Sequence, residues 1–161
     1  MKTLIALLLL TALSWAQPYS VGTIQDRDGW THLREKPDLK SQSLDKVYQG
    51  DRFLIVRRQG DFFDVLLLKV DPDQPDVFGY LHSSRVKVVH TAALGAACIN
   101  DPDGWVNLRS GPSSQHKILG RIDKTDGFFV LTQGEWCKVM TRQGLTGFVH
   151  KSRIEWLLPR N

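Results

Sequence analysis

The stretch DRDGWTHLREKP, residues 26–37, recurs 75 residues later as DPDGWVNLRSGP, residues 101–112. The two segments share an Asp-x-Asp-Gly-Trp start, a Leu-Arg pair and a final proline. Similarity at a fixed period indicates one structural unit that occurs more than once in the chain. The sequence therefore predicts two copies of a small module.

The correspondence continues toward the end of each copy. GDFFDV at 60–65 matches GEWCKV at 134–139, and GYLHSSRV at 79–86 matches GFVHKSRI at 147–154. The offset falls from 74 to 68 between these two matches, so the first copy carries six extra residues. They fall within residues 69–78, and the Asp and Pro residues of that segment predict a long hairpin loop.

Both copies consist of short alternating runs separated by Gly, Pro and Asp, a pattern that predicts an all-β fold. Side chains alternate between the two faces of a strand. Val106 and Leu108 are therefore expected to face the core together, as are Cys137 and Val139, which leaves Trp136 nearer the surface. Short strands with closely spaced turns are typical of a small barrel.

The second copy resembles the bacterial SH3-like domain family, and four motifs in order carry the resemblance: VNLRSGP at 106–112, ILG at 118–120, GEWCKV at 134–139 and GFVHKSRI at 147–154. The first copy resembles a diverged member, with Glu35-Lys36 in place of Ser-Gly and Phe62 in place of Trp136. The resemblance implies two small SH3-like β-barrels in tandem.

The first residues have the pattern of a secretory signal. Lys2 supplies a positive charge, an apolar run extends from Leu4 to Leu13, and Ser14-Trp15-Ala16 provides small residues for cleavage. A membrane anchor is the alternative, but a span needs about 20 apolar residues. The protein is therefore expected to be exported, to the periplasm or the extracellular space, and no membrane span is expected.

These observations predict a complete domain organisation. It comprises a signal peptide at 1–16, a first SH3-like domain at 17–90 with its loop at 69–78, a linker at 91–97, a second SH3-like domain at 98–157 and a C-terminal tail at 158–161.

The formal net charge of the chain is +4, and its Lys and Arg residues are interleaved with Asp. Nucleic-acid binding usually requires a concentrated basic stripe, so no nucleic-acid partner is expected. A weak preference for an anionic polymer of the envelope is compatible with this charge.

Recurring aromatic and cationic residues form the candidate ligand-binding set, namely Trp30, Arg34, Phe62, Tyr80, Trp105, Arg109, Trp136 and Phe148. A shallow aromatic groove is the natural place for binding in such a module. The alternative for the aromatic rings is that they cover a core that is small in a short domain. The alternative for Arg34 and Arg109 is hydrogen bonding to loop carbonyls or to an acid such as Asp101 or Asp103.

No catalytic site, metal site or cofactor is expected. His82 and His150 recur, but neither a nucleophile motif nor a metalloprotease motif accompanies them. A Cys137–His150 pair is conceivable, but the first copy has Phe63 at the cysteine position. Cys98 and Cys137 are a candidate disulfide in an exported protein; the alternative is that Cys137 is a buried thiol with Cys98 near it.

The sequence thus predicts a non-catalytic exported binding module. The resemblance implies recognition of cell-wall peptidoglycan or peptide, because such domains often accompany wall hydrolases. The partner is then a cell-wall polymer; the alternative is an envelope protein that the chain binds as a specific adaptor or inhibitor. A polymer binder should use equivalent grooves in both copies, whereas a partner-specific binder can use the loop at 69–78 or the linker.

Overall fold

The computed structural model of the protein describes residues 18–69 and 73–159. The predicted signal peptide lies outside this range. The first module contains the strands β1 Tyr19–Ile24, β2 Trp30–Arg34, β3 Ser43–Tyr48, β4 Arg52–Gln59, β5 Phe62–Leu67, β6 Val77–His82 and β7 Val86–Ala93. The second contains β8 Gly95–Ile99, β9 Trp105–Arg109, β10 Ile118–Asp123, β11 Phe128–Thr132, β12 Trp136–Thr141, β13 Thr146–His150 and β14 Ile154–Pro159. A short 3₁₀ turn precedes the last strand of each module, at Ser83–Arg85 and Lys151–Arg153.

The two modules have the same topology. The strand order is β3-β2-β6-β5-β4-β1-β7 in one sheet and β10-β9-β13-β12-β11-β8-β14 in the other, and neighbouring strands pair antiparallel. The all-β prediction is confirmed. Each sheet is open rather than closed into a barrel, because its terminal strands, β3 and β7 or β10 and β14, lie at opposite edges of the order.

Side-chain packing draws each open sheet around a core. In the first module the cluster includes Val47 of β3 and the half-buried Val86 of β7, although these strands are at opposite edges. In the second module the core contains Val106, Leu108 and Val139, as the strand alternation predicted. Residues from the two edges of a sheet can share one cluster only if the sheet curls. Burial of apolar side chains, rather than backbone hydrogen bonding between the edge strands, therefore holds the two edges together.

A separate buried cluster joins the two modules. It contains Val21, Leu54 and Leu66 of the first module against Ala96 and Phe129 of the second. The first three residues belong to β1, β4 and β5, and the other two lie at matching places in β8 and β11. The same outer face of each sheet is therefore buried against its counterpart, as in the self-complementary interface of a two-fold dimer.

Polar contacts extend this junction beyond the apolar cluster. The backbone N–H of Arg52 donates to the carbonyl of Arg142 at 2.9 Å, which links the start of β4 to the turn after β12. The Arg142 guanidinium lies 4.0 Å from the Asp51 carboxylate. The two modules are consequently in direct contact along one junction.

Parts of the predicted organisation need correction. Residues 91–97 are not a separate linker, because β7 runs to Ala93 and β8 begins at Gly95. The predicted C-terminal tail overlaps β14, which ends at Pro159. β5 and β6 form the predicted hairpin, with Leu67 paired to Val77, and residues 70–72 of its loop lie outside the described range. No helix among the described residues has the length and apolarity that crossing a membrane requires.

Candidate functional site: two equivalent grooves

Each module carries a groove lined by residues at matching positions. The first is bounded by Asp26, Asp28, Trp30, Thr31, His32, Arg34, Leu39, His82, Ser84 and Arg85. The second is bounded by Asp101, Asp103, Trp105, Val106, Asn107, Arg109, Ser114, His150, Ser152 and Arg153, with Trp136 and Val149 added. Their volumes are ≈ 290 Å³ and ≈ 440 Å³. The groove is thus part of the repeated unit and does not depend on the junction between the modules.

The repeated Asp-x-Asp-Gly-Trp motif forms one wall of the groove. In the second module the carboxylate of Asp101 accepts a hydrogen bond from the backbone N–H of Asp103 at 2.9 Å. Gly104 follows at φ 75°, a left-handed conformation that glycine adopts without a steric penalty. Arg153 of the 3₁₀ turn forms an ion pair with Asp101, whose carboxylate is buried. The motif therefore ties the β8–β9 turn to the opposite wall of the groove.

The first module repeats this arrangement with Asp26, Asp28 and Arg85. The backbone N–H of Asp28, and after it the Arg85 guanidinium, holds the pKa of the Asp26 carboxyl below its ordinary value, although desolvation works in the opposite direction. A carboxyl with a lowered pKa in the folded state contributes stability above its unfolded pKa. That contribution is lost as the pH falls through the folded pKa, because the proton is bound more readily in the unfolded chain.

Asp26→Asn is therefore expected to make the stability of the protein less sensitive to acid. The wild type should lose this contribution as the pH falls below about 4, the ordinary pKa of an aspartate. The variant has no titrating group at this position and should show a shallower loss of stability over the same range. Urea unfolding at a series of pH values between 2 and 6 measures the difference, and parallel pH profiles for the two proteins would contradict it.

A tryptophan with a cation over its ring forms the second wall. The ammonium of Lys46 lies 4.0 Å from the ring centroid of Trp30, and the guanidinium of Arg121 lies 4.6 Å from that of Trp105. Both cations come from the strand next to the tryptophan, β3 or β10. A cation over an indole ring is attractive, so these contacts hold each indole in place at the groove.

The recurring arginines anchor a loop. Arg34 donates from its guanidinium to the carbonyl of Ser41 at 2.8 Å, and Arg109 donates to the carbonyl of His116 at 3.0 Å. Of the alternatives that the sequence left open, the contact with a loop carbonyl is confirmed. Arg153, rather than Arg109, forms the ion pair with Asp101.

The recurring histidines close the groove at the 3₁₀ turn. Nδ1 of His82 accepts from the backbone N–H of Ser84 at 3.4 Å and lies 2.7 Å from the Ser84 hydroxyl. His150 makes the same contacts with Ser152 at 3.3 Å and 2.8 Å. The Glu135 carboxylate lies 3.7 Å from Nε2 of His150. The backbone contact identifies the His-Ser pair as a helix cap, a role that explains its recurrence in both modules.

Comparison with known families bears on the second of these modules. Residues 104–155 match the family model described as the bacterial SH3 domain. The second module is a bacterial SH3 domain. The match includes the strands β9 to β13 and most of the groove described above. The first module has the same strand order and an equivalent groove.

Several solved structures are similar to the chain at low identity. NlpC2 of Trichomonas vaginalis aligns at 12% identity and a TM-score of 0.38, over 87% of this chain and 49% of that one. NlpC1 of the same organism gives 14% and 0.38, over 94% and 51%. An NlpC/P60 family protein from Bacillus cereus gives 14% and 0.33, over 87% and 57%. The chain thus spans about half the length of these structures. No curated protein matches the sequence.

The predicted aromatic residues separate into three groups in the two modules. Trp30, Trp105 and Trp136 line the grooves. Phe62, the counterpart of Trp136, is 7% exposed and contacts the ring of His82 edge-on. Tyr80 and Phe148 are half-buried and lie outside the residues that line either groove, each paired across the sheet with an arginine of that groove.

The predicted disulfide is not present. Cys98 and Cys137 are free thiols. Cys137 is packed in the core of the SH3 domain, as the strand pattern predicted. Cys98 alternates along β8 with the core residues Ala97 and Ile99, so its side chain points to the other face of the sheet. Burial, and then the charge of Glu155, raises the pKa of the Cys98 thiol.

Asp26 and Asp101, Ser84 and Ser152, and the 3₁₀-turn arginines Arg85 and Arg153 line the grooves but were not predicted as site residues. Their signal was present, because Asp26, Ser84 and Arg85 recur unchanged as Asp101, Ser152 and Arg153. When a polar residue is identical in both copies of a repeat, it indicates a polar contact that both copies share. A recurrent aromatic residue is a weaker indicator of a site, because a large ring can recur only to cover the core. Among the described residues, no group of three or more His, Cys, Asp or Glu side chains is arranged to hold a metal ion.

Proposed function

We propose that this protein is a non-catalytic, exported binding protein that recognises cell-wall peptidoglycan, or a peptide of the wall, through its two grooves. The observation that carries the proposal is the equivalence of the grooves, which are lined at ten matching positions. Equivalent grooves suit a ligand that presents the same chemical unit more than once. Peptidoglycan is such a polymer, and the bacterial SH3 domain at 104–155 supports a role at the wall.

The charge of the grooves supports a neutral or zwitterionic ligand. The first is lined by two aspartates and two arginines, and so is the second. These formal charges cancel, so neither groove attracts a polyanion as a basic stripe would. The indole of Trp30 or Trp105 offers an apolar surface beside these dipoles. Sugars and short peptides combine apolar faces with hydrogen-bonding groups and fit this arrangement.

The junction between the modules supports binding through both grooves together. Leu54 and Phe129 are fully buried in the cluster that joins the two sheets. The grooves therefore belong to one packed body and are not joined by a long flexible segment. When two linked sites bind one polymer, the second binding event is intramolecular and the overall affinity rises.

Co-sedimentation of the purified protein with insoluble peptidoglycan tests this proposal. We expect the wild type to pellet with the wall at both low and moderate salt, because contacts with a neutral groove are weakly screened. Trp30→Ala combined with Trp105→Ala should leave most of the protein in the supernatant. Stacking on an aromatic ring contributes about 1–3 kcal/mol by alanine substitution in another recognition system, and this variant removes the ring from both grooves.

Phe78→Ala is the matched control, since Phe78 is 54% exposed and lies outside both grooves. This variant should pellet like the wild type. A wild type that stays in solution at both salt concentrations would refute wall binding. Binding that disappears between low and moderate salt would show attraction by net charge rather than recognition by the grooves.

The cavity at the junction favours a second candidate function, specific binding of an envelope protein as an adaptor or inhibitor. It has a volume of ≈ 490 Å³ and is lined by Lys69, Pro75 and Asp76 of the inserted loop and by Cys98 and Lys124 of the second module, among others. The inserted loop that lines this cavity occurs in the first module alone, so the repeat does not reproduce the cavity in the second. A protein partner captured from envelope extract by the wild type and by the double tryptophan variant alike would favour this second function.

A further inference from the structure

The backbone contact of each capping histidine fits one neutral tautomer, and the serine hydroxyl 2.7 Å from Nδ1 of His82, or 2.8 Å from Nδ1 of His150, can donate to the same nitrogen. Nδ1 of His82 and of His150 accepts the backbone N–H of the serine two residues later. A ring nitrogen that accepts a hydrogen bond carries no proton, so the proton of the neutral imidazole is on Nε2. Each ring therefore has a hydrogen-bond donor at the end opposite the cap.

Aromatic contacts fix the orientation of both rings. The His82 ring meets Phe62 edge-on at a centroid distance of 5.1 Å, and the His150 ring meets Trp136 at 5.3 Å. The interplanar angles are 81° and 79°. Edge-to-face pairs of this kind are favourable and directional. Because the cap holds one end of the imidazole and the aromatic ring holds one face, Nε2 has a defined place in the groove.

An acidic residue near Nε2 of His150 limits the kind of hydrogen-bond acceptor that a ligand can place there. The carboxylate of Glu135 is 3.7 Å from Nε2 of His150, beyond hydrogen-bonding distance. Asp61 is its counterpart in the first module by sequence position, and its carbonyl accepts the backbone N–H of Ser83. A ligand carboxylate beside Glu135 would meet a like charge, which is unfavourable. A neutral carbonyl oxygen can accept a hydrogen bond from Nε2–H without that repulsion.

We infer that His82 and His150 are specificity-determining residues, each of which donates an Nε2–H hydrogen bond to an amide carbonyl of the ligand beside Phe62 or Trp136. The inference rests on the proposed function and names the group that the grooves select. The N-acetyl and peptide groups of peptidoglycan carry such carbonyls. A glycan that lacks both groups offers no amide acceptor to either histidine and is bound more weakly.

Two double variants distinguish the role of each histidine as a hydrogen-bond donor to the ligand from its role as a helix cap. Asp and Asn are both good residues at a helix N-cap, since each offers a side-chain oxygen to the backbone N–H. His82→Asp with His150→Asp keeps the cap but presents carboxylate oxygens to the groove. His82→Asn with His150→Asn keeps the cap and retains an N–H donor. A pair with the same cap and opposite hydrogen-bonding character therefore tests the donor role.

The probe is a soluble peptidoglycan fragment of one disaccharide with its stem peptide, titrated calorimetrically into the purified protein at neutral pH. We expect the Asp double variant to bind about tenfold more weakly than the wild type or worse, equivalent to about 1.4 kcal/mol, because the ligand carbonyl loses its hydrogen-bond donor. The Asn double variant should bind more tightly than the Asp variant. Equal affinity of the Asp variant and the wild type would overturn the inference and leave wall binding intact. No binding by the wild type would refute the proposed function and the inference together.

A second measurement needs no substitution. Long-range ¹⁵N–¹H correlation spectra distinguish the two neutral tautomers of histidine, and comparison with the variants assigns the signals of His82 and His150 among the five histidines. We expect both to be Nε2–H tautomers. The Nδ1–H tautomer at either position would contradict the cap on which the inference depends.

Discussion

Phe129→Ala is expected to lower the free energy of unfolding by about 3–5 kcal/mol, the range found for truncation of a buried phenylalanine. Phe129 is fully buried in the cluster that joins the modules, where Leu54, Leu66 and Ala96 surround the same space. The cavity left by the ring is bounded by both sheets. Since each sheet also has its own core, the junction can collapse only by moving one module relative to the other. Denaturant unfolding measures the loss.

The location of Phe129 adds a second expected result. The wild type should unfold in one transition, because the junction couples the two cores, whereas the variant should unfold over a broader range of denaturant. Leu145→Ala is the control, since Leu145 is 44% exposed and lies outside the cluster. A loss below about 1 kcal/mol for Phe129→Ala, with an unchanged transition, would contradict the account of the junction.

Gly147→Ala is expected to destabilise the second SH3 domain by about 1–3 kcal/mol or more, the range for overpacking a tightly packed interior. A Cβ atom at this position would lie 2.7 Å from the carbonyl oxygen of Arg109 and 2.7 Å from the side chain of Leu108. The carbonyl belongs to the backbone of β9 and cannot rotate away as a side chain can. Accommodation must therefore push β13 away from β9, at the strands that carry the groove.

Gly120→Ala provides the matched control. The nearest atom to its added Cβ is the end of the Leu145 side chain, at 3.4 Å. That side chain is flexible and partly exposed, so the free energy of unfolding should change little. Thermal unfolding of both variants measures the difference. Equal melting temperatures for the two variants would show that the approach of β13 to β9 is looser than the contacts indicate.

The repeat made much of the fold and part of the site predictable. Strand alternation placed Val106, Leu108, Cys137 and Val139 in the core, because each strand has one face toward that core. The repeat also drew attention to Trp30 and Trp105, which line the grooves. These predictions depend on patterns within short segments, and such patterns can be recognised in a single sequence.

The junction between the modules was not predicted. Phe128, Phe129 and Val130 are consecutive buried residues, so both faces of β11 are covered. Unbroken apolar runs are typical of strands buried on both sides, but alternation with one inward face was assumed. The small residues at the end of residues 87–97 led to the prediction of a linker at 91–97, where the structure has two strands separated by Leu94. Contacts between modules depend on tertiary packing that no period within one module reveals.

The polar framework of the grooves was also missed in part. The hydrogen bond between Asp101 and Asp103 is local, but the ion pair between Asp101 and Arg153 links residues 52 positions apart. Sequence spacing does not reveal such a contact, although the recurrence of both residues in the first module could have suggested one. Recurrent polar residues in a repeat are therefore as informative about a site as recurrent aromatic ones.

The most direct test of the two-groove account is the binding stoichiometry of the soluble peptidoglycan fragment. Titration calorimetry should give two fragments per wild-type chain, one for Trp105→Ala, and none for Trp105→Ala combined with Trp30→Ala. That series is the result expected if each groove is one binding site. A single site that persists in the double tryptophan variant would contradict the account and would move attention to the cavity at the junction.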